Sequence, residues 1–305
     1  MKALLFPGQG SQFVGMGKDL YEESEAARRV FDLADATLGF SLSGLMFEGP
    51  EETLRETRNA QPAILCHSMA AWKAMDLDLK QSEVVAAGHS LGEYSAYTAA
   101  GAFSTEDALR VVRARGELMY EAGVAEPGLM AAIIGLSPDV VTSVCDKTPG
   151  IVTAANVNSP GQVVISGQPE AVRAAGTELS EQGAKRVIEL NVSGAFHSPL
   201  MEPAAKGLRE VLEGIEVKRA TFPVYANVSA NVVIEGSEIK ESLIRQLLSP
   251  VLWAPTIQTM ADLSPTDWFE IGPGQVLRGL VRQTDRSIKC RTLGKADELR
   301  AFQEV

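Results

Sequence analysis

The sequence predicts an α/β fold with a largely parallel sheet, covered by helices on both faces, and a smaller inserted unit. Short apolar runs alternate with long helical patterns, and a Gly-x-Ser-x-Gly turn lies at one strand-to-helix junction. Over residues 129–191 the order changes to βαββαβ, which is typical of a ferredoxin-like unit. We therefore expect a large domain formed by residues 1–126 and 195–305, with a ferredoxin-like subdomain at residues 127–194.

The first part of the chain predicts two strands separated by helices. The strand Lys2–Phe6 ends at Pro7-Gly8, and the second strand is the apolar run Val84–Ala87. Helical patterns cover Glu25–Leu38, Pro62–Met75, Leu91–Ala100 and Thr105–Ala122. Alternation of this kind favours parallel strands with helices packed on both sides.

The inserted unit follows Glu126-Pro127-Gly128, a plausible linker. Its predicted strands are Leu129–Gly135, Ile151–Val157, Gln162–Ser166 and Lys185–Asn191, and its predicted helices are Pro138–Asp146 and Pro169–Gln182. Beyond the insertion, the first pattern resumes. Helices are expected at Pro203–Glu213, Glu238–Leu248 and Gln275–Gln283, with a strand at Trp268–Ile271.

Composition excludes several classes of protein. The 305 residues carry a formal net charge of −11, the opposite of the basic footprint of a nucleic-acid binder. No apolar run approaches the ~20 residues of a membrane helix, and the apolar start of the chain is too short for a signal peptide. The cysteines Cys66, Cys145 and Cys290 lack zinc-binding spacing. We expect a soluble cytoplasmic protein without a bound metal.

The segment Gly88-His89-Ser90-Leu91-Gly92 is the most informative local motif. Its glycines permit a sharp turn that lifts Ser90 out at the carboxyl end of a strand, beside the first amides of a helix. Because a serine hydroxyl alone is a poor nucleophile, the motif implies chemistry only if a base reaches it.

Three histidines are available as that base. His89 adjoins Ser90, and neighbours on a sharp turn usually point apart. His67 lies on the apolar stripe of a predicted helix, where a packed histidine is expected. His197 lies between a glycine and a proline in a rigid loop, where reactive groups tend to occur. His197 is therefore the predicted base.

The residues alone leave the rest of the site partly open. Acids between the serine and the histidine fall mostly in the inserted unit, so the group that orients His197 is unassigned and can be a carboxylate, an amide or a backbone oxygen. One oxyanion donor is expected to be the amide of Leu91, and another an amide of the loop Phe6–Gln12.

The same loop has a rival interpretation. Gly8-Gln9-Gly10 opens a dinucleotide-binding fingerprint, G-x-G-x-x-G, but Phe13 occupies the third glycine position. No acidic residue follows a second strand at the required distance. A nicotinamide-dependent oxidoreductase is therefore disfavoured.

One predicted helix carries a candidate anion-binding residue. Arg110, Arg113 and Arg115 lie among its apolar positions, and we expect two of them in solvent. Gly116 thins the helix beside Arg115, and a buried arginine there suits bidentate capture of a carboxylate.

Motifs extend in order through almost the whole chain. They are residues 6–12, 61–63, 88–94, 115–119, 156–162, 194–197, 246–253 and 270–274. Together they resemble those of the malonyl-CoA:acyl-carrier-protein transacylases, a family related to the acyltransferase domains of fatty-acid and polyketide synthases. The resemblance implies a hydrolase-like core with a ferredoxin-like insertion.

The resemblance also implies roles for individual residues. Ser90 is cast as nucleophile and His197 as base, with Gln246 holding His197 through an oxygen. The amides of Gln9 and Leu91 form the oxyanion hole.

Substrate contacts follow from the same resemblance. Arg115 clamps the malonyl carboxylate, and Gln61, His89, Asn158 and Phe196 are further substrate-binding residues. The bulk of Phe196 is similar to that in malonyl-selective members, where it disfavours an α-methyl branch.

The implied activity is ping-pong transfer of a malonyl group from malonyl-CoA to acyl carrier protein. No resident cofactor is expected, since CoA and phosphopantetheine arrive with the substrates, and a free-standing chain favours fatty-acid synthesis. Docking of an acidic carrier needs local positive charge, because this chain is also acidic. The candidates are Lys185, Arg186, Lys206, Arg209, Lys218, Arg219, Arg278, Arg282 and Arg286.

Two other functions remain open on the sequence. A serine thioesterase or esterase would pass the acyl group to water, and Gln246 and Arg115 disfavour it. An inactive acyl-CoA-binding scaffold would keep the fold only, and the intact nucleophile, base and oxyanion loop disfavour that alternative.

Overall fold

A computed structural model describes residues 1–75 and 83–303. Up to residue 126 the elements are β1 (Lys2–Phe6), α1 (Lys18–Glu23), α2 (Glu25–Leu38), α3 (Leu42–Glu48), α4 (Glu51–Arg55), α5 (Thr57–Ala74), β2 (Val84–Gly88), α6 (Leu91–Ala99) and α7 (Thr105–Ala125). The next are β3 (Leu129–Ile134), α8 (Pro138–Lys147), β4 (Val152–Ser159), β5 (Gln162–Gly167), α9 (Pro169–Glu181) and β6 (Arg186–Glu189). After a short 3₁₀ turn at Pro199–Met201 come α10 (Glu202–Glu213), β7 (Val224–Tyr225), α11 (Gly236–Gln246), α12 (Trp253–Ala261), β8 (Asp267–Ile271), α13 (Val276–Thr284), β9 (Cys290–Leu293) and α14 (Ala296–Gln303).

The larger sheet is parallel throughout, with strand order β7-β2-β1-β8-β9. Its central strands are apolar and buried, because helices cover both faces. The register pairs Phe6 with Gly88, so the loops that follow β1 and β2 leave the sheet side by side. The predicted α/β fold with a mostly parallel sheet is confirmed.

The smaller sheet is antiparallel, with strand order β4-β5-β3-β6. One face packs with α8 and α9 around a separate apolar core that includes Ile133 and Ile165. Residues of the opposite face, Met130 and Val164, join the main core of the molecule. Backbone hydrogen bonds between β4 and Val251 fix this sheet to the segment after α11.

Helix α5 begins earlier than the sequence indicated. Pro62 marked the expected start, but the helix begins at Thr57 and Pro62 lies inside it. A proline has no amide for the carbonyl four residues back. Here Nη1 of Arg113 donates to the carbonyl of Arg58 at 2.9 Å, which satisfies the acceptor that Pro62 leaves free.

Other differences are smaller. Strand β4 continues to Ser159, so Pro160-Gly161 alone turns the hairpin where a four-residue loop was expected. Strand β6 is shorter than the expected Lys185–Asn191. Strand β7 has only two residues, too few for an apolar pattern to reveal.

Within residues 1–75 and 83–303, no helix is both long and apolar enough to cross a membrane.

Candidate active site

Ser90 occupies a sharp turn between β2 and α6, with φ 51° and ψ −105°. Close packing makes both glycines of the turn necessary. A Cβ on Gly88 would lie 1.9 Å from the carbonyl carbon of Gly92, and one on Gly92 would lie 2.0 Å from the carbonyl oxygen of Phe6. The sequence therefore forces this uncommon backbone conformation and presents the serine at the strand end.

Asn227, which lies two residues after strand β7, holds this turn. Its Oδ1 accepts a hydrogen bond from the Ser90 amide at 2.7 Å, and its Nδ2 donates to the Gly88 carbonyl at 2.7 Å. Sequence reasoning missed Asn227, because it follows a strand too short to recognise.

His197 reaches the nucleophile, with Nε2 2.9 Å from Ser90 Oγ. Its Nδ1 lies 2.8 Å from the main-chain carbonyl of Gln246, which accepts a proton held there and leaves Nε2 as the acceptor. Burial, followed by the charge of Arg115, lowers the pKa of His197 to about 3. The imidazole is therefore neutral near pH 7 and can act as a base.

Gln246 makes contacts on both its main chain and its side chain. It is the last residue of α11, so its carbonyl accepts only a long bond of 3.4 Å from the Ser249 amide and is available to His197. Its side-chain Nε2 donates to the Ser90 carbonyl at 3.0 Å, and its Oε1 accepts from Nη2 of Arg115 at 2.9 Å. The oxygen facing the histidine is thus the backbone one, while the carboxamide joins the serine turn to the arginine.

Arg115 is a buried cation whose hydrogen-bond partners are neutral. Its side chain is 1% exposed; Nη1 donates to Gln61 Oε1 at 2.7 Å and Nη2 to Ser90 Oγ at 3.1 Å. The guanidinium lies 5.4 Å from the ring centroid of Tyr94, and Nε has no hydrogen-bond partner in the described structure. A buried charge of this kind is costly unless an anion pairs with it.

Helix α7 packs closely on the start of α5 beside Arg115. A Cβ on Gly116 would lie 2.8 Å from Arg58 Cα, so α7 and the start of α5 approach closely there. Arg110 is exposed, as expected, but Arg113 is half-buried, where its Nη1 contacts Asn59 Oδ1 at 2.7 Å.

The loop after β1 packs directly onto the serine turn. A Cβ on Gly8 would lie 2.3 Å from the His89 carbonyl oxygen, so this loop requires glycine there. Gln9 and Leu91 both line the cavity beside Ser90. Leu91 is the first residue of α6, and its amide is one of those that no intrahelical carbonyl uses. The arrangement suits two amides stabilising an oxyanion.

A cavity of about 420 Å³ opens onto these groups. Phe196 and His89 lie in its wall, together with Arg55 and Asn156, which the sequence did not single out. Asn158 connects to the site through His89, with its Oδ1 2.8 Å from His89 Nε2. In the residues that the structure describes, no cluster of His, Cys, Asp or Glu could hold a metal ion.

The structure therefore brings the predicted residues into one connected site. Ser90, His197, Arg115, Gln246 and Gln61 are joined by hydrogen bonds. His67 lies elsewhere, with Nε2 2.8 Å from the Gly294 carbonyl, as a packed helix histidine.

Comparison with known proteins identifies relatives over nearly the full length. The acyl transferase domain family matches residues 3–302. A malonyl CoA-acyl carrier protein transacylase of Bacillus subtilis is 51% identical over 94% of this chain and 91% of the relative. The Escherichia coli protein with the same name is 39% identical over 99% of both.

Solved structures agree with the sequence relatives. An acyl-carrier-protein-S-malonyltransferase from Bartonella henselae superposes with a TM-score of 0.96 at 42% identity, covering 99% of this chain and 98% of that one. A malonyl-transacylase in complex with a type II PKS acyl-carrier protein has a TM-score of 0.94 at 40% identity, covering 99% of both chains.

Proposed function

Since the chain belongs to the acyl transferase family, we propose that it transfers a malonyl group from malonyl-CoA to the phosphopantetheine thiol of acyl carrier protein in fatty-acid synthesis. One observation carries the choice of acyl group. Arg115 places a buried cation whose hydrogen-bond partners are all neutral 3.1 Å from the nucleophile, where a carboxylate on the acyl chain would pair with it.

The proposed reaction has two matched halves. Ser90 Oγ attacks the thioester carbonyl, and its proton passes to His197 Nε2. The C–S bond breaks, and the CoA sulfur leaves with the proton from His197. A malonyl-Ser90 ester remains, and the carrier thiol reverses these steps, which gives ping-pong kinetics.

The oxyanion of each tetrahedral intermediate is proposed to lie on the amides of Gln9 and Leu91. Each such donor contributes about 10²–10³ in rate in comparable acyl-transfer enzymes. Because His197 is neutral and held by a carbonyl rather than a carboxylate, the base needs no buried acid. The Gln246 carbonyl stabilises the imidazolium that exists only during proton transfer.

Selectivity is proposed to come from two sides of the cavity. Arg115 pairs with the malonyl carboxylate, and Gln61 positions the Arg115 guanidinium by accepting a hydrogen bond from it. Phe196 occupies the wall where an α-methyl branch would lie. His89, held by Asn158, completes the wall next to Ser90.

The transfer assay uses the purified chain, malonyl-CoA and holo carrier protein, with malonyl-carrier measured by mass. We expect malonyl-carrier to accumulate with the native chain and none with Ser90→Ala. Release of free malonate without formation of malonyl-carrier would identify a hydrolase. Binding of malonyl-CoA without covalent change would identify an inactive scaffold.

Carrier docking is proposed to involve Lys185 and Arg186. These residues lead through β6 into Leu190–Val192, which line the cavity. Of the other candidates, Arg209 and Arg219 already form ion pairs on the surface. Charge reversal at Lys185 and Arg186 should raise KM for the carrier and leave KM for malonyl-CoA unchanged; equal effects on both would reject this surface.

The inserted unit is proposed to be a ferredoxin-like subdomain at residues 127–194, within a hydrolase-like domain of residues 1–126 and 195–305. The strand order β4-β5-β3-β6 and the two helices sharing one face support this assignment. Limited proteolysis that cuts near residues 127 and 194 would support the boundaries, and cuts inside either unit would oppose them.

The proposal requires no resident cofactor, because both thiols arrive with their substrates. We also propose a cytoplasmic location, which the three buried free cysteines support. Fractionation of cells expressing the chain tests this location.

A further inference from the structure

Glu93 lies directly beneath the serine turn and has no part in the reaction described above. It is in the first turn of α6 and is completely buried. Its Oε2 accepts hydrogen bonds from Gln246 Nε2 at 2.8 Å and from the Asn227 amide at 3.0 Å. Its other oxygen, Oε1, has no partner in the described structure. A buried carboxyl group with one free oxygen is an unusual feature that needs an explanation.

The carboxamide of Gln246 connects Glu93 to the buried cation. Its Oε1 accepts from Arg115 Nη2 at 2.9 Å, while its Nε2 donates to Glu93 Oε2. The orientation of this amide is fixed, because Nε2 also faces the carbonyl acceptor of Ser90 at 3.0 Å. The Arg115 guanidinium and the Glu93 carboxyl group are therefore connected by hydrogen bonds through the Gln246 carboxamide.

The groups facing Glu93 come from several elements. Arg115 of α7 is the cation; Tyr94 and Tyr97 on α6 interact with the carboxylate electrostatically. Gln246 of α11 and Asn227 after β7 are neutral hydrogen-bond donors. Since burial raises the pKa of both tyrosines, they stay neutral near pH 7.

A malonyl carboxylate paired with Arg115 would add a second acid to a site that has one cation. Two buried carboxylates that share a single positive charge cannot both stay ionised without a large cost. Glu93 can therefore be ionised before the malonyl carboxylate binds, whereas its neutral form is favoured once that carboxylate pairs with Arg115.

We propose that Glu93 is the counter-charge of Arg115 in the empty site and takes up a proton from solvent when the malonyl carboxylate occupies Arg115. The inference rests on the proposed malonyl transfer. By linkage, protonation of Glu93 increases the affinity for the malonyl group by a certain factor, and malonyl binding increases the proton affinity of Glu93 by the same factor. Glu93 thus acts on acyl selectivity as a positioning residue through Arg115 and Gln246, without touching substrate.

The proton affinity of Glu93 suits this exchange. Burial raises its pKa to about 7, against the opposing effects of its hydrogen bonds and Arg115. Above that pH the ionised carboxylate competes with malonyl for Arg115; below it the neutral acid does not. Preference for malonyl over acetyl should therefore be greatest on the acid side of neutrality.

The first experiment measures kcat/KM for enzyme acylation by malonyl-CoA and by acetyl-CoA from about pH 6 to about pH 8.5. Nucleophile, base and oxyanion donors are common to both reactions, so their titrations cancel in the ratio. We expect the malonyl-to-acetyl ratio to fall about fivefold or more across this range in the native chain. In Glu93→Gln, the ratio should be independent of pH.

A matched control is Glu270→Gln. Glu270 is also completely buried, but both its oxygens accept backbone amides of α13 and it lies outside the cavity wall. This variant should keep the pH dependence of the native ratio. A flat native ratio, or the same slope in Glu93→Gln as in the native chain, would overturn the proposal.

A second experiment needs no variant. Acylation of the native chain in weak buffer with a pH indicator at about pH 7 should take up a fraction of a proton more with malonyl-CoA than with acetyl-CoA, since the same CoA thiol is released in both reactions. Equal proton change with both donors would contradict the exchange. If intact mass shows no malonyl adduct at all, the proposed function fails instead, which separates the two claims.

Discussion

His197 and His67 are both buried histidines held by a main-chain carbonyl at 2.8 Å, yet their second ring nitrogens differ. Nε2 of His197 lies 2.9 Å from Ser90 Oγ, whereas Nδ1 of His67 is buried without a partner in the described structure. Burial lowers the pKa of both. Burial therefore keeps each imidazole neutral against the opposing effect of its carbonyl partner, which raises the pKa. The group at the other ring nitrogen decides whether the histidine acts as a base.

The surroundings sharpen this contrast. The region of His197 contains a cation, a cavity of about 420 Å³ and a strained serine turn. The region of His67 is closed by packing on Gly294 and Gly17. A neutral buried histidine can act as a base where its free ring nitrogen contacts a hydroxyl group beside an open cavity, as His197 does.

The largest effect is expected from His197→Ala. Removing the base leaves Ser90 without a proton acceptor, and a general base typically contributes about 10²–10⁴ in rate. Malonyl transfer by the folded fraction, measured as kcat/KM, should fall by a factor in this range. Activity within about threefold of native would contradict the assignment of His197 as base.

The next effect is expected from Arg115→Ala. Losing a charge-assisted hydrogen bond to a carboxylate costs about 1.5–3 kcal/mol, so malonyl kcat/KM should fall by roughly 10- to 150-fold. Acetyl transfer should fall less. Arg110→Ala, an exposed arginine of the same helix, is the control and should leave the acyl preference unchanged. An unaltered preference in Arg115→Ala would remove this residue from acyl recognition.

Arg115 also contributes to the pH dependence of the base, although burial is the larger cause of the lowered pKa of His197. A base works only when deprotonated, so acetyl transfer by the native chain should persist well below the ordinary histidine pKa of about 6.5, toward a midpoint at about 3. Without the positive charge, the pKa of His197 rises and the acid limb of acetyl transfer should move to higher pH. A limb at the same pH in Arg115→Ala would show that the cation does not act on His197.

The smallest effect on activity is expected from His67→Ala. The substitution opens a space in a packed region and removes the bond to the Gly294 carbonyl, so the free energy of unfolding should fall by about 1–3 kcal/mol. Turnover of the folded fraction should stay within about twofold of native. Denaturant unfolding measures the change in the free energy of unfolding, and transfer assays on the same sample measure turnover. A large loss of kcat would break the contrast between the two histidines.

Sequence predicted the reacting groups better than the groups that hold them. Ser90, His197 and Arg115 stand in motifs whose chemistry is local, and the structure brings them into hydrogen-bonding contact. Asn227 and Glu93 remained unassigned, because their contacts join segments more than a hundred residues apart. The main-chain role of Gln246 also depends on where α11 ends, and sequence placed that end two residues late.

The fold shows a similar division. Long helices and the buried strands β1, β2 and β8 follow from hydrophobic periodicity. The two-residue strand β7 and the early start of α5 depend on tertiary partners: β7 pairs with β2, and Arg113 takes the carbonyl that Pro62 leaves free. Such elements are stabilised by contacts that no local pattern contains.

Partition of an isolated malonyl-enzyme tests the central claim most directly. The adduct formed with malonyl-CoA is freed of CoA, mapped by peptide mass, and then divided between buffer and buffer with holo carrier protein. We predict a single malonyl group on Ser90 that is stable in buffer and passes to the carrier thiol when carrier is added. Malonate released at the same rate in both samples, or a malonyl group mapped to another residue, would contradict a serine that relays malonyl between two thiols.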